Sequence, residues 1–181
     1  MKNTTVYWLT GLSGAGKSTI AAKFREKALK AGKSVRILDG DDIREKVHKH
    51  LDFTVQGITE NNRLIAELCK TEVGRYDYIL VSVISPFEAA RQQSRKIVGD
   101  SYREVYIKAS LDTVIQRDPK GLYKKALSGE INNFIGIADQ VPYEVPAAPD
   151  LVLDTERDSV GQCVDILFQP EREPNAAAKK N

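Results

Sequence analysis

A glycine-rich octapeptide near the start of the chain constrains its fold more than any other feature. Residues 11–18 read Gly-Leu-Ser-Gly-Ala-Gly-Lys-Ser and match the pattern G-x-x-x-x-G-K-S at every fixed position. The apolar run 6–10 before it is typical of a buried parallel strand, and a helical pattern begins at Ser18. A strand, a glycine loop and a helix in this order predict a loop that binds phosphate with its backbone N–H groups, at the N-terminus of a helix.

The predicted phosphate loop assigns roles to its own side chains. Lys17 is expected to reach the β- and γ-phosphates of ATP, and the Ser18 hydroxyl is expected to bind Mg²⁺. The glycines allow a tight turn and a close approach of the backbone to phosphate. The loop residues predicted to bind ATP are Gly11, Leu12, Ser13, Gly14, Ala15, Gly16, Lys17, Ser18 and Thr19.

Length, charge and cysteine content limit the classes of partner and location. The chain has 181 residues and a net charge of +2, which gives no reason to expect a nucleic acid as partner. A single domain is predicted over 1–168, and the polar tail 169–181 is expected to be disordered. No apolar run approaches the ~20 residues of a membrane span, and no signal peptide is recognised before the first strand. The two distant cysteines match no metal spacing, so a reducing, cytoplasmic location is expected.

Strand-like and helical runs alternate along the chain. Strands are predicted at 6–10, 35–38, 78–84, 104–107 and 151–153, and helices at 18–31, 59–74, 87–98, 111–116 and 157–168. This alternation predicts the α/β class, as a three-layer α/β/α sandwich of the P-loop NTPase type with a mostly parallel, five-stranded sheet. Gly32 fits the end of the first helix. Ser85 fits an N-cap followed by Pro86 at N1 and Glu88 at N3, which is a capping box.

One long segment, at about 117–149, lacks a clean period. It contains basic residues, glycines and four prolines. Long irregular segments inside compact domains are usually functional. A basic segment beside a phosphate loop predicts a lid that closes over the nucleotide and excludes water.

Acidic residues follow the second predicted strand, where ligands bind in parallel sheets. Asp39 and Asp41 are two positions apart, so on an extended segment they would face the same side. We interpret Asp41 as a metal-linked base, sharing the metal with Ser18, and Asp39 as an acceptor-positioning group. The alternative is that Asp41 or Asp42 caps the next helix. Arg44, one turn later, is interpreted as a fork for an anionic substrate, with a solvated surface arginine as the alternative.

The absence of two motifs narrows the reaction class. The chain has no Asn-Lys-x-Asp motif, which disfavours a GTPase, and no Leu-Ser-Gly-Gly-Gln, which disfavours a transporter ATPase. Of the reaction classes that use a phosphate loop, a small-molecule kinase with a lid remains. A nucleotide-binding module without catalysis is the alternative from another class, and the intact Lys17, Ser18 and Asp41 disfavour it.

Several longer stretches resemble the adenosine 5′-phosphosulfate (APS) kinases, which use ATP to phosphorylate the ribose 3′-hydroxyl of APS. The resemblance extends over about residues 5–155, and the lid sequence and the Ile-Ser-Pro-Phe element are more specific than the phosphate loop. The stretches that carry it are 9–19, 38–41 with Arg44, 60–61, 84–87, 117–126, 129–131, Phe134, 136–137 and 142–144.

The resemblance implies roles for matching residues. Phe53 and Phe134 match an aromatic pair that holds the substrate base from two sides, whereas the residues alone would favour two core phenylalanines. Arg117 matches a residue on the ATP side of the site. The family often forms homodimers, so a homodimer is expected. The implied substrate-binding residues are Asp39, Asp41, Arg44, Phe53, Asn61, Ile84, Ser85, Lys120, Leu122 and Phe134.

Ser85 matches a serine that some members of the family carry as phosphoserine. We count it with Asp41 and Lys17 as a catalytic candidate. A direct in-line transfer needs no phosphoenzyme, so the role expected for Ser85 is contact with the substrate.

Two residues depart from the family pattern. Ile58 occupies the position of an arginine that is expected to bind the anionic end of the substrate, and a lost contact of that kind costs about 1.5–3 kcal/mol. Asn132 stands where a lysine is common. Arg63, about one turn further along the same helix, is a candidate to supply the positive charge that Ile58 lacks. The alternative is the same 3′-hydroxyl chemistry on another activated nucleotide, such as cytidine diphosphoramidate.

Overall fold

The computed structural model describes residues 2–46 and 51–168, so the tail predicted at 169–181 lies outside the described residues. The strands are β1 (Thr5–Thr10), β2 (Val35–Asp39), β3 (Tyr78–Ser82), β4 (Tyr102–Lys108) and β5 (Leu151–Asp154). The helices are α1 (Lys17–Lys30), α2 (Gly40–Lys46), α3 (Val55–Glu72), α4 (Glu88–Val98), α5 (Leu111–Arg117), α6 (Leu122–Leu127) and α7 (Val160–Leu167).

The five strands form one parallel sheet in the order β2-β3-β1-β4-β5. Successive side chains of a strand point to opposite sides, and helices cover both faces of the central strand β1. Tyr7 and Leu9 pack on the side of α1 and α7, whereas Val6 and Trp8 pack on the side of α3 and α4. The predicted α/β/α fold with a parallel five-stranded sheet is therefore confirmed.

The ends of two helices follow from local hydrogen bonds. Gly32, with φ 72°, ends α1 in a Schellman turn: its N–H donates to Leu29 O at 3.0 Å and Lys33 N–H donates to Ala28 O at 2.9 Å. This confirms the predicted end of the first helix. The helix α3 begins at Val55, four residues before the predicted start at 59, because the Thr54 hydroxyl accepts the Gly57 N–H at 3.2 Å.

The predicted capping box at Ser85 is wrong. The N-cap of α4 is Phe87, which forms no side-chain capping bond, and Ser85 lies in a left-handed turn with φ 48°. The first N–H of α4, that of Glu88, donates instead to Glu144 Oε2 at 2.6 Å. A carboxylate 56 residues away along the chain therefore replaces the local cap.

The predicted irregular segment 117–149 contains a short helix, α6. Two residues of the segment beyond this helix, Ile137 and Tyr143, pack against the core. Among the described residues, no helix is long and apolar enough to cross a membrane.

Replacing Phe24 by Ala should lower the free energy of unfolding by about 3–5 kcal/mol. Phe24 is fully buried in α1, and its ring packs edge-on against Tyr7 and Tyr78, with centroids 5.8 and 5.0 Å apart. Urea unfolding monitored by circular dichroism measures the change. Leu29→Ala on the same helix is the control, because Leu29 is 52% exposed; equal losses in the two variants would contradict this account of the core.

Candidate active site

A cavity of about 320 Å³ lies at the carboxyl ends of β1, β2 and β3. Loops after these strands and the segment beyond α5 supply its walls, as expected for ligand sites in parallel sheets. The sequence-predicted residues that line this first cavity are Ser13, Gly14, Gly16, Lys17, Ser18, Thr19, Asp39, Asp41, Arg44, Phe53, Asn61, Ile84, Ser85 and Lys120.

Lys17 lies in the glycine loop with its ammonium turned toward the loop's own backbone. Its Nζ donates to Gly11 O and Leu12 O, both at 2.8 Å, and the residue is only 8% exposed. Burial lowers the pKa of Lys17 to about 8, and the negative charges of Asp41 and Asp39 oppose that shift. The ammonium is therefore partly desolvated before any phosphate arrives, and its pKa lies closer to neutrality than that of an exposed lysine.

Gly11 is required by a close approach between neighbouring strands. A Cβ at this position would lie 2.5 Å from the backbone oxygen of Ile107 in β4, closer than real contacts allow. The first glycine of the octapeptide is thus fixed by the path of the backbone out of β1.

Oxygen atoms cluster beside the start of α1. Ser18 Oγ donates to Asp39 Oδ2 at 2.6 Å and lies 3.0 Å from Ser82 Oγ. Hydroxyl and carboxylate oxygens are the donors that Mg²⁺ prefers, so this group fits a magnesium ion. Among residues 2–46 and 51–168, no group of three His, Cys, Asp or Glu side chains could hold a metal. A metal bound here would also need coordinating oxygens from a bound phosphate group.

The two acidic residues take different positions from those expected of an extended segment. Because α2 begins at Gly40, Asp41 lies in the first helical turn. Asp39 Oδ1 accepts the Asp41 N–H at 3.0 Å, so this capping contact comes from Asp39, whereas the sequence suggested Asp41 or Asp42. The carboxylate that contacts Ser18 is also that of Asp39.

Asp41 forms its ion pair with Lys120, which comes from the segment beyond α5. The hydrogen bond to Asp41 raises the pKa of Lys120. Both side chains are largely exposed, 56% for Lys120 and 75% for Asp41. Exposed pairs contribute little stability, so a ligand can displace this contact at small cost.

Arg44 is held over the rim of the first cavity. Its Nη1 donates to Leu51 O and Asp52 O, both at 2.9 Å, and its guanidinium carbon lies 4.5 Å from the centroid of the Phe53 ring. Phe53 is 54% exposed. These contacts disfavour the alternative of a solvated surface arginine, because Arg44 orders the chain that presents Phe53.

Phe134 and Leu122 are not among the residues that line either cavity described here. The Phe134 ring packs edge-on against Tyr123, with centroids 4.9 Å apart, and joins the core beside α1. Its neighbour Ile135 lines the first cavity instead. The structure therefore brings Phe53, but not Phe134, to the cavity wall.

A second cavity, also of about 320 Å³, lies on the other side of the glycine loop. Arg117 lines it together with Gly14, Ala15, Gly16 and Thr19 of the loop. The Arg117 guanidinium donates to Thr155 Oγ1 at 3.0 Å and to Thr155 O at 2.7 Å. Sequence reasoning missed Thr155, although its position directly after β5 was a usable signal.

The turn at Ser85 is held from three sides by residues that sequence reasoning also missed. Asn62 Nδ2 donates to Ser85 Oγ at 3.0 Å, Thr10 Oγ1 donates to Ile84 O at 2.6 Å, and Arg91 Nη1 donates to Ser85 O at 2.7 Å. Thr10 ends β1 and could have been found by the strand-end rule. Arg91 gave no signal, because an arginine in a helix reads as a surface residue.

Ile58 lines the first cavity and is 4% exposed, packed with Phe87 and Ile135. Arg63 does not compensate for the missing arginine in this structure: its guanidinium donates to Glu60 and Glu67 on its own helix. The wall at Ile58 is therefore apolar.

Comparison with known proteins identifies relatives over most of the chain. The adenylylsulphate kinase family matches residues 3–154. An adenylyl-sulfate kinase of Clostridium kluyveri is 42% identical over 92% of this chain and 83% of its own length. A probable adenylyl-sulfate kinase of Bacillus subtilis is 45% identical, with 92% and 84% covered.

The fold has a similar counterpart among solved structures. The APS kinase of Mycobacterium tuberculosis in complex with AMPPNP and APS superposes with a TM-score of 0.86 at 35% identity, covering 92% of this chain and 97% of that one. That protein binds a nucleoside triphosphate analogue and APS together.

Proposed function

The chain belongs to the adenylylsulphate kinase family, and we propose that it transfers the γ-phosphoryl group of ATP to the ribose 3′-hydroxyl of APS. The observation that carries the proposal is a cavity with the phosphate loop and Lys17 on one wall and two carboxylates, Asp39 and Asp41, on another. Phosphoryl transfer needs a cationic cradle opposite a group that can accept the hydroxyl proton.

The residues of the loop bind and orient ATP. Backbone N–H groups at the start of α1 and the Lys17 ammonium neutralise phosphate oxygens. Lys17 exchanges its two loop carbonyls for these oxygens. Arg117, beside the loop in the second cavity, serves the nucleoside side of ATP.

The transfer is a single in-line displacement. The 3′-oxygen forms a bond to the γ-phosphorus as the bond between that phosphorus and the β–γ bridging oxygen breaks. Asp41 accepts the hydroxyl proton, and ADP leaves. Asp41 is available because its partner Lys120 is exposed and can turn to the anionic substrate.

A magnesium ion would be held by Ser18, with Asp39 beside it, since these oxygens already lie 2.6 Å apart. When bound, Mg²⁺ neutralises charge on the β- and γ-phosphates. The sequence interpretation paired Ser18 with Asp41. We assign the metal contact to Asp39 and leave Asp41 to the proton.

The acceptor nucleotide is held at the opposite end of the first cavity. Phe53 supplies an exposed ring on which a base can stack, a contact of about 1–3 kcal/mol. Arg44, Asn61 and Lys120 supply polar groups around it. Phe134 would complete the pair only after leaving its contact with Tyr123.

The homodimer and the cytoplasmic location remain proposals. The homodimer rests on the resemblance alone. The location is supported by two buried free thiols, Cys69 and Cys163, which suit a reducing compartment.

Asp41→Asn should lower kcat with APS by about 10²–10⁴-fold, because the amide cannot accept the hydroxyl proton. Measured below the pKa of Lys17, the Kd for ATP should stay within about threefold, since the loop is unchanged and Lys17 keeps its charge. Steady-state assays with ATP and APS, and calorimetry with ATP, measure the two effects. Asp42→Asn, at the next position, is the control. Turnover by Asp41→Asn at the rate of the unaltered protein would remove the proton-acceptor role, and a lack of turnover by the unaltered protein would remove the function.

Ile58 favours a second candidate, the same transfer to a nucleotide with a less anionic terminal group. The apolar wall at Ile58 and the engaged guanidinium of Arg63 leave no arginine where the family has one. Cytidine diphosphoramidate is an acceptor of this kind.

Comparing kcat/KM for APS, cytidine diphosphoramidate, AMP and CDP separates the two candidates. We expect APS to be preferred, and Ile58→Arg to lower its KM by about tenfold through one restored charge-assisted contact. Ile58→Leu controls for repacking of the wall. Efficient use of cytidine diphosphoramidate beside weak use of APS would reverse the assignment of substrate.

ATP affinity should fall as pH rises through about 8. The free protein loses the Lys17 ammonium near that pH, so binding must then take up a proton, and the Kd should rise about tenfold per pH unit above it. Calorimetry between about pH 7 and pH 10 measures the slope. Lys17→Arg binds with a charge that does not titrate in this range, so its profile should be flat. Parallel profiles for the two proteins would show that another group causes the dependence.

A further inference from the structure

Arg91 is a fully buried arginine that the proposed chemistry does not use. It lies in α4, is 0% exposed and does not line the first cavity. A buried charge is costly unless every part of it is paired, so its presence needs a reason.

The Arg91 guanidinium joins three separate stretches of chain. Its Nη1 donates to Ser85 O at 2.7 Å, and its Nη2 donates to Glu144 O at 2.8 Å and to Glu88 Oε2 at 2.6 Å. Its Nε lies 3.0 Å from Glu104 Oε1 of β4. Only a planar fork of donors can reach these groups at once; a lysine ammonium cannot.

The carbonyl held by Arg91 belongs to a strained turn. Ser85 has φ 48°, a conformation that is unfavourable for a non-glycine residue and persists only where its surroundings impose it. Thr10 Oγ1 donates to Ile84 O at 2.6 Å and lies 3.2 Å from Ser85 O. The carbonyls of Ile84 and Ser85 are thus held by hydrogen bonds from Thr10 and Arg91. Residues 84–86 themselves line the first cavity.

The far end of the predicted lid is attached to the same turn. Glu144 N–H donates to Pro86 O at 2.8 Å, and Glu144 Oε2 accepts the Glu88 N–H at 2.6 Å. The Tyr143 hydroxyl lies 3.0 Å from Thr10 Oγ1. The turn and the end of the lid therefore meet at Arg91.

Glu104 supplies the counter-charge. It is 1% exposed and pairs with Arg91, while Arg95 lies 3.7 Å from its other oxygen. Arg95 also pairs with Asp150 at 2.7 Å and stacks on Tyr102, but has no contact with the Ser85 turn among those described. Arg95 thus offers a matched comparison on the same helix.

We propose that Arg91 is a positioning residue for the acceptor: through Ser85 O and Glu144 O it fixes the turn 84–86 and the end of the lid in one arrangement around the acceptor end of the first cavity. The reading of that cavity as the acceptor site rests on the proposed function. The positioning itself does not.

The test compares Arg91→Lys with Arg95→Lys. Each keeps a positive charge near Glu104, but only the first loses the fork to the turn and the lid. For Arg91→Lys we expect the KM for APS to rise by at least about tenfold, while the Kd for ATP stays within about threefold. Arg95→Lys should leave both unchanged. A purely structural role would change both ligands together or neither.

Hydrogen exchange of the ligand-free protein gives a readout independent of the substrate. Amides of residues 84–88 should exchange at least about tenfold faster in Arg91→Lys, with those of residues 11–18 unchanged. If Arg91→Lys does not fold, Arg91→Met with Glu104→Gln removes the buried charges together and undergoes the same measurements.

The outcomes separate the two proposals. Unchanged exchange at 84–88 overturns the positioning role, whatever the substrate is. An unchanged KM for APS in a protein that turns it over also overturns it. Failure of the unaltered protein to phosphorylate APS removes the proposed function, and exchange then still decides the role of Arg91.

Discussion

The parallel register of β1, β2 and β3 is the constraint on which the site depends. Leu9 and Asp39 are both paired with Ser82, so the ends of three strands stand level at one edge of the sheet. Because of this, the helix that follows β1 begins beside Asp39, and Ser18 reaches both Asp39 and Ser82. A shift of one residue in either pairing would turn Asp39 to the opposite face. The oxygen cluster is therefore a product of the sheet register.

Burial divides the charges of the site into fixed and exchangeable groups. Lys17 and Arg91 are buried, which fixes where each charge lies, even though Lys17 can exchange its loop carbonyls for phosphate oxygens. Asp41 and Lys120 are exposed and paired with each other. Fixed charges keep the geometry that transition-state stabilisation requires, whereas an exposed pair can open when a ligand arrives. The proposed proton acceptor, Asp41, lies in the second group, which suits a side chain that must meet a new partner in every turnover.

Sequence reasoning succeeded where a structure is set by neighbours in the chain. The octapeptide, the order of strands and helices, and the glycine that ends α1 are local or follow from hydrophobic periodicity. It failed where distant contacts decide. Ser85 has every local feature of a helix cap, yet Glu144 provides the cap from 56 residues away and leaves Ser85 free to turn toward Asn62. The resemblance implied that Phe134 contacts the substrate base, and local sequence could not show that its ring packs on Tyr123 in this structure. Neither contact can be predicted from the residues next to it in the sequence.

The cap supplied by Glu144 also limits how the predicted lid can move. The N-terminus of α4 depends on this carboxylate, and loss of such a cap costs about 0.5–2 kcal/mol. Glu144 is held further by its own backbone, through Pro86 O and Arg91. Opening the whole segment would break all of these bonds and expose a buried arginine, whereas moving only the part before Tyr143 breaks none of them. At its other end, Arg117 is bonded to Thr155 beside the glycine loop. Motion between these two anchors therefore keeps both sets of bonds, and this stretch carries Lys120 and Phe134, the side chains expected to meet the substrate.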